Sequence, residues 1–566
     1  MRKIISRSTT GLLFACALVT IGALQAQAAV INAAGAARLK KLVTADVQWR
    51  EDMTKVLGSG LTLNGDISVT PEKDFYAVTL PHLVQLVGQK GRVEIGTVVL
   101  HAVPGDTADS WKIDGALPSS MTFIDDKNVP QARIDIGEQH FSGTWVPSTD
   151  LFPKFKAVFK NIELSTIGKE KLAITIAEAS SLIDLKKNAS GNDWNGNANF
   201  NISDITIQSP GNPPFTLKIA KAYSDSVYDK LDVKHASDLK AAMQAAMKEH
   251  MPQTQQEKVE FISKFLLSPP ITANGILSKL EFNDLSVHIA ATKEEPSQQF
   301  SVRRLSIAAG SQDTEQKKSR VRITASVSGL NGALPASPAA DFVPRDLNLD
   351  VTLGNLPLKD IREIFLGSIQ KLATLQPGDT VGRQAATAEM RARELMLPGL
   401  IERAGTTFSV KDTYAQNRNL ALRLDGNIYA NPVTAYGAVG KMTLSIVGLD
   451  SMIQKMKKEA LKPDSDPQLL VFLGDMVSLQ KKGIAVKTGG QTALAYVVEL
   501  TKDGSVLLNG KTIRQSAASQ LGMTEQPEQS APQTNQKTPA PQDQTSPLFQ
   551  TPSQNYTFQY RQPALP

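Results

Sequence analysis

Alternation of apolar and polar side chains dominates the chain between about residue 60 and residue 220. Apolar positions two residues apart, bounded by Pro, Gly, Asp and Ser, are typical of antiparallel strands with one buried face. The alternating runs lie at 61–69, 76–80, 93–100, 132–136, 141–145, 155–164, 172–176, 200–207 and 215–219. We therefore expect a long β-rich region.

Helical spacing occurs before this region and at intervals after it. Apolar positions near a 3.6-residue period predict a first helix over 32–57, ended by Gly58 and Gly60. Further helical runs lie at 237–267 (interrupted by Pro252), 358–375, 381–403, 451–461 and 468–481. Alternating runs follow these helical runs at 280–289, 300–307, 321–327, 347–353, 420–428, 442–446, 493–500 and 506–508. This order predicts a β-dominated α+β fold with curved antiparallel sheets of meander and hairpin strands and interspersed packing helices.

The chain is too long for one hydrophobic core, so several units are expected. We divide it into a signal peptide (1–28), an N-terminal β-rich domain (29–235), a helical segment (236–270), a C-terminal α+β domain (271–514) and a Gln/Pro-rich tail (515–566). The tail has few large apolar residues, which predicts disorder. Its end alternates aromatic and polar residues at Tyr556, Phe558 and Tyr560, a pattern that suits strand addition to a partner's sheet edge. A frayed terminus with incidental aromatics is the alternative, and the sequence favours it.

Loose sequence echoes recur where the strands are predicted. Asn161-Ile162, Asp204-Ile205, Asp284-Leu285 and Asp346-Leu347 each lie in or enter an alternating run. They are consistent with internal duplication or with common strand punctuation.

The first 28 residues predict export. Three cations at Arg2, Lys3 and Arg7 precede an apolar run over 11–24, and small residues flank position 27. This is the order of a secretory signal peptide with cleavage after Ala28, and the apolar run is too short to span a bilayer. We expect a periplasmic protein without a transmembrane segment in its mature chain.

Charge and cysteine content exclude some classes of function. The formal charge of +6 falls to +3 when the three leader cations are removed, and no basic stripe with interleaved aromatics occurs. This argues against a nucleic-acid partner. The single cysteine, Cys16, lies in the leader, so the mature chain has no disulfide or thiolate metal site.

One set of short motifs suggests a serine hydrolase acting on peptidoglycan. Ser368 and Lys371 form Ser-x-x-Lys, followed by Tyr429-Ala430-Asn431 and Lys487-Thr488-Gly489, in the order seen in penicillin-binding proteins. Against this interpretation, Ser-x-x-Lys recurs at Ser237 and Ser478, and Ser368 lies midway along a helical run. The six histidines show no metal-ligand spacing. We assign no catalytic, cofactor-binding or metal-binding residues and no cofactor.

The segments 353–365 and 420–456, with closing strands near 482–510, resemble exported proteobacterial proteins of the AsmA-like group. The resemblance implies a Gram-negative periplasmic protein with long, curved antiparallel sheets facing lipids or other envelope components. This chain departs from the larger members in showing no evident membrane anchor, which argues against a role that bridges two membranes. The resemblance carries over no functional residues.

Taken together, these patterns favour a non-enzymatic periplasmic binding or scaffold protein of the cell envelope, with an envelope lipid or envelope protein as its partner. Alternating strands bury one face, and the predicted helices are too few to cover every such face. A sandwich in which the strand faces pack on each other is an alternative. An envelope hydrolase of the serine type is the second function class.

Overall fold

A computed structural model describes residues 31–514, except for 89–90, 108, 169–170, 190–192, 267–271, 294–295, 315, 317, 333–339, 374, 376–378, 432–433, 435–436, 463–466 and 489. The predicted signal peptide and the predicted disordered tail therefore lie outside the described residues. More than half of the chain that is described forms strands. The predicted β-dominated α+β fold class, with curved antiparallel sheets and packing helices, is confirmed.

The described residues form eight α-helices. They are α1 (Ala33–Leu57), α2 (Val233–Glu249), α3 (Gln255–Leu266), α4 (Leu358–Ala373), α5 (Thr380–Glu394), α6 (Leu397–Arg403), α7 (Leu449–Ala460) and α8 (Pro467–Lys482). The two helical runs predicted on either side of Pro252 are α2 and α3, which are separate because proline cannot donate the backbone hydrogen bond of a helix interior.

The described residues also form 23 strands. They are β1 (Gly60–Leu63), β2 (Ser68–Pro71), β3 (Tyr76–Leu86), β4 (Gly91–Pro104), β5 (Trp111–Ala116), β6 (Ser120–Asp125), β7 (Pro130–Val146), β8 (Leu151–Thr166), β9 (Ala173–Lys187), β10 (Asp193–Ser209), β11 (Phe215–Asp232), β12 (Thr272–Ile289), β13 (Gln298–Gln312), β14 (Ser319–Ser328), β15 (Asn331–Gly332), β16 (Asp346–Leu356), β17 (Thr407–Gln416), β18 (Ala421–Ala430), β19 (Ala438–Val447), β20 (Ile484–Thr488), β21 (Gln491–Leu500), β22 (Val506–Leu508) and β23 (Lys511–Arg514).

All of these strands belong to one continuous antiparallel sheet. From β7 to β14 each strand pairs with the next strand along the chain, and the pairing continues through β16, β17, β18, β19 and β21. Near the first edge, β5 and β6 lie end to end between β4 and β7. β11 pairs with β12 across the helical segment, so the sheet runs through the boundary predicted at residues 236–270. The domain division itself stays a prediction.

Several strands differ from their predicted extents. The two runs predicted at 132–136 and 141–145 are parts of one 17-residue strand, β7. β5, β6 and β17 were not predicted, because each is short of a clean alternation: β17, for example, has Lys411, Asp412 and Thr413 at its centre. A register shift at this point in the pairing of β17 with β18 explains why the alternation is lost.

A row of kinks crosses the sheet from β8 to β12. Asn161, Asp204 and Asp284 have φ values of 52°, 52° and 50°, a left-handed conformation that Asn and Asp tolerate better than most residues. The residue pairs on either side of each kink show that the three kinks lie in one row across the sheet, on β8, β10 and β12. At each kink the spacing between apolar residues lengthens from two to three: Phe159 to Ile162, Ile202 to Ile205 and Phe282 to Leu285. Both apolar parts of a strand therefore lie on the same face.

The largest core lies under α1. Asn32 begins this helix by accepting a hydrogen bond from the Gly35 amide (2.8 Å), and Gly58, at a φ of 70°, ends it. A Cβ at position 35 would lie 1.9 Å from the Tyr76 hydroxyl oxygen, so glycine lets α1 approach β3 closely. Leu39 of α1 and Trp145 of β7 are fully buried in this core. The helix thus packs in one core with the apolar face of β3 to β9.

A second core covers the same face near the other end of the sheet. Ile453 and Met456 of α7 pack with Ile446 of β19 and Tyr496 of β21. The Tyr496 hydroxyl donates a hydrogen bond to the Leu479 carbonyl in α8 (2.9 Å). α7 and α8 therefore cover the strands from β18 to β21.

Candidate functional site

Between the two covered ends, one face of the sheet carries apolar side chains that solvent reaches. We define the open apolar face as Leu280 (β12), Ile307 (β13), Ile323 (β14), Leu347 and Leu349 (β16). These five side chains are between 36% and 48% exposed. Long aliphatic side chains are usually buried, so a contiguous group with this exposure marks a surface that can receive an apolar ligand or partner.

The strand register makes this face contiguous. Leu280 pairs with Ile307, Ile307 with Ala325, and Ala325 with Leu349. In antiparallel strands, directly opposite residues point to the same face with their Cβ atoms about 5 Å apart. The alternation of each strand therefore adds up to one apolar row across four strands.

This row extends into a groove with a volume of about 420 Å³. The groove is lined by apolar residues of successive strands, with polar groups at its margins: Leu305, Ile307, Ala325, Ser326, Val327, Leu347, Asn348, Leu349, Thr413, Tyr414, Ala415, Leu422, Arg423, Leu424 and Leu444. It crosses the strands from β13 to β19, so it runs from the open apolar face toward the part of the sheet beneath α7 and α8.

The opposite face of the same strands carries ion pairs. Glu281, next to Leu280 and buried on the other face, lies 2.7 Å from Lys279 Nζ and 2.6 Å from Arg304 Nη2. Burial alone would raise the pKa of Glu281, but hydrogen bonds from Lys279 and Arg304 lower this pKa to about 2. Arg322 makes a bidentate contact with Asp350 one strand further on, at 2.9 Å and 2.6 Å. These strands therefore carry paired charges on the face opposite the open apolar face.

A buried ionic cluster near the first edge is the other concentration of charge. Lys240 Nζ of α2 lies 3.0 Å from Asp46 Oδ1 in α1 and 2.7 Å from Asp150 Oδ2. Arg50 Nε lies 2.7 Å from the other oxygen of Asp46. Burial raises the pKa of Asp46 and outweighs the opposing effect of the two cations. Two acids and two bases balance here, which suits a structural link between α1 and α2.

The residues of the serine-hydrolase hypothesis are spread over the C-terminal part of the chain. Ser368 lies in α4, Tyr429 on β18 and Lys487 on β20. Tyr429 of β18 pairs with Val439, near the start of β19. Lys487 of β20 pairs with Thr492 of β21, and the next residue of β21 pairs with the last residue of β19. Eight residues of strand therefore separate them, about 27 Å. The structure does not bring Tyr429 and Lys487 together.

The histidines occupy separate places in the sheet and helices. His82 Nε2 lies 3.1 Å from Glu94, His101 Nδ1 lies 3.3 Å from Asp114, and both pairs are partly exposed. Within the part of the chain that the structure describes, no group of three or more His, Cys, Asp or Glu side chains is arranged to hold a metal ion. Among the described helices, none is long and apolar enough to cross a membrane.

The sequence indicated that some apolar sheet surface stays uncovered, but it did not identify the residues. The available signal was the combination of alternating apolar runs at 280–289, 300–307 and 321–327 with helices distant in the sequence. That signal does not distinguish an open face from one covered by a remote segment. No protein-family model, curated protein or solved structure matches this chain.

Proposed function

We propose that this protein is a non-enzymatic binding protein of the cell envelope that holds acyl chains of an envelope lipid against the open apolar face. The observation that carries the proposal is the row of exposed aliphatic side chains through Leu280, Ile307 and Leu349. The periplasmic location rests on the predicted signal peptide at 1–28 and, like the AsmA-like resemblance, is part of the proposal.

The dimensions of the groove support an acyl chain. Its lining residues reach from β13 to β19, five strand spacings or about 24 Å. One leaflet of a bilayer core is about 15 Å thick, so a lipid chain fits within this length. Each buried methylene contributes about 0.8 kcal/mol. The open apolar face is aliphatic, so an acyl chain that covers it gains this free energy without removing polar or charged groups from water.

The contrast with the polar face supports binding on one side only. Lys279, Glu281 and Arg304 satisfy one another on the opposite side of the same strands. Displacing them would leave charge unpaired, whereas covering Ile307 and Leu349 removes apolar surface from water. A lipid-sized ligand therefore gains most on the open apolar face.

The test compares two substitutions on neighbouring positions of β14. Ile323→Lys places a charge on the open apolar face, and Thr324→Lys places the same charge on the other face. The protein is purified from the periplasm, and bound lipid is extracted and quantified by mass spectrometry. We expect lipid to copurify with the wild type and with Thr324→Lys, and at least about tenfold less with Ile323→Lys, a loss of about 1.4 kcal/mol.

Absence of lipid from the wild type, or equal lipid in both variants, would contradict the proposal. The hydrolase hypothesis has its own readout in the same preparation. Covalent labelling by a fluorescent penicillin that is lost in Ser368→Ala would replace the binding function with an enzymatic one.

A further inference from the structure

The chain continues for 52 residues beyond Arg514, the last residue of β23. This continuation is poor in large apolar residues, and three aromatics lie close together within it: Tyr556, Phe558 and Tyr560. In an extended segment, residues two apart point to one side. The sequence therefore provides an aromatic strip of three rings with threonine and glutamine on its other side.

The charge of this continuation also suits contact with an apolar surface. From residue 544 to residue 566, Arg561 is the one charged side chain. Transfer of charged groups out of water is costly, so a segment nearly free of charge can lie against aliphatic side chains at little expense. Tyr and Phe rings each bury a large area when they do so.

The distances match. From β23 to β13 the sheet crosses β22, β21, β19, β18, β17, β16 and β14, which is eight strand spacings or about 38 Å measured across the strands. A random-coil chain as long as the 43 residues between Arg514 and Phe558 has a root-mean-square span of about 36 Å. A tether is most effective when its span equals the distance to its site.

We propose that residues 556–560 bind the open apolar face of the same molecule and shield it until a ligand displaces them. The open apolar face is exposed to solvent in the folded chain, and a tethered aromatic strip reaches it at a local concentration in the millimolar range. The segment thereby competes with any apolar ligand. The proposal requires the open apolar face, but it does not depend on lipid being that ligand.

Cysteine crosslinking tests the contact directly, because Cys16 is the only native cysteine. In full-length protein with Cys16→Ala, Phe558→Cys is combined with Ile307→Cys or with Ala308→Cys. These two positions are adjacent on β13, lie at the same distance from Arg514 and point to opposite faces. A short bismaleimide reagent is added, and the crosslinked monomer is quantified on a denaturing gel.

We expect the pair 307/558 to crosslink within one molecule at least about fivefold faster than the pair 308/558. Adding Tyr556→Ser and Tyr560→Ser should abolish this difference, since the remaining aromatic anchors are lost. Equal rates for the two pairs would overturn the proposal. Crosslinks mainly between two molecules would also overturn it, by identifying a second copy as the occupant.

A second measurement does not require cysteines. The full-length variant Tyr556→Ser/Phe558→Ser/Tyr560→Ser should bind a fluorescent apolar dye roughly threefold more than the wild type, because the open apolar face is released. Unchanged dye binding would contradict the shielding. Failure of lipid copurification together with a positive crosslink would reject the lipid function and leave this contact in place.

Discussion

The strands under α1 and the strands from β12 to β16 have the same alternation but opposite surroundings. On β8, Phe155, Ala157 and Phe159 are buried, whereas at the corresponding spacing on β13 Ile307 is about half exposed. The difference lies in the cover: α1 packs on the first region, and the middle of the sheet has solvent on its apolar side. An apolar strand face therefore does not determine its own cover, and the position of the helices decides which part of it the chain itself buries.

The largest effect that separates the two regions is expected in the covered one. Leu39→Ala removes a fully buried side chain between α1 and the sheet. The lost transfer energy and the cavity should lower the free energy of unfolding by about 3 kcal/mol. Urea denaturation followed by tryptophan fluorescence measures this change.

The matched control is Lys40→Ala, the next residue of α1, which is exposed. It should change the free energy of unfolding by less than about 0.5 kcal/mol. A cost below about 1 kcal/mol for Leu39→Ala would mean that α1 does not hold the sheet as tightly as its burial indicates.

An intermediate effect is expected from the polar face of the open region. Glu281→Gln leaves Lys279 and Arg304 without their carboxylate and should lower the free energy of unfolding by about 2 kcal/mol at neutral pH. If so, ion pairing stabilises strands that lack apolar cover. Urea denaturation of both proteins at several pH values measures the difference.

The pH dependence has a defined sign. The folded-state pKa of Glu281 is about 2, below its value in an unfolded chain. Its contribution is therefore complete above about pH 4.5 and disappears as the pH falls toward 2. The difference between wild type and Glu281→Gln should shrink over that range, whereas a difference that persists at pH 2 would exclude ion pairing as its source. Glu163→Gln, at an exposed position of β8, is the control.

The smallest effect is expected on the open apolar face itself. Ile307→Ala removes a side chain that already contacts water, so the free energy of unfolding should fall by less than about 1 kcal/mol. Binding of an apolar dye should fall in the same variant. A loss above about 2 kcal/mol in urea denaturation would show that this face is packed in solution and would remove the contrast with Leu39.

Much of the fold follows from local patterns. Asn32 and Gly58 mark the ends of α1, and Pro252 separates α2 from α3, because caps and proline act within a few residues. The alternation at 155–164 likewise gives β8. These features need no information from distant parts of the chain.

Local sequence patterns could not predict that the sheet is continuous or where the open apolar face lies. An alternating strand predicts that one face is apolar, but not which neighbour pairs with it or what covers it. The echoes at Asn161, Asp204 and Asp284 were visible in the sequence, yet their meaning as aligned kinks required the register of five strands. Tyr429 and Lys487 show the converse, since sequence motifs placed them together and the pairing of β19 separates them.

The aligned kinks allow further strands to be added to the sheet. From β8 to β12, each pair of strands repeats one unit: a strand with Asn or Asp at a left-handed bend in this row, then a strand without a left-handed residue in this row. Within the sheet, each unit pairs with the strands directly beside it. A hairpin with the same three-residue skip, inserted at a turn between two such strands, would lengthen the molecule by about 10 Å without disturbing either capped end. The length of this protein is thus a quantity that evolution, or a designer, can change in whole hairpins.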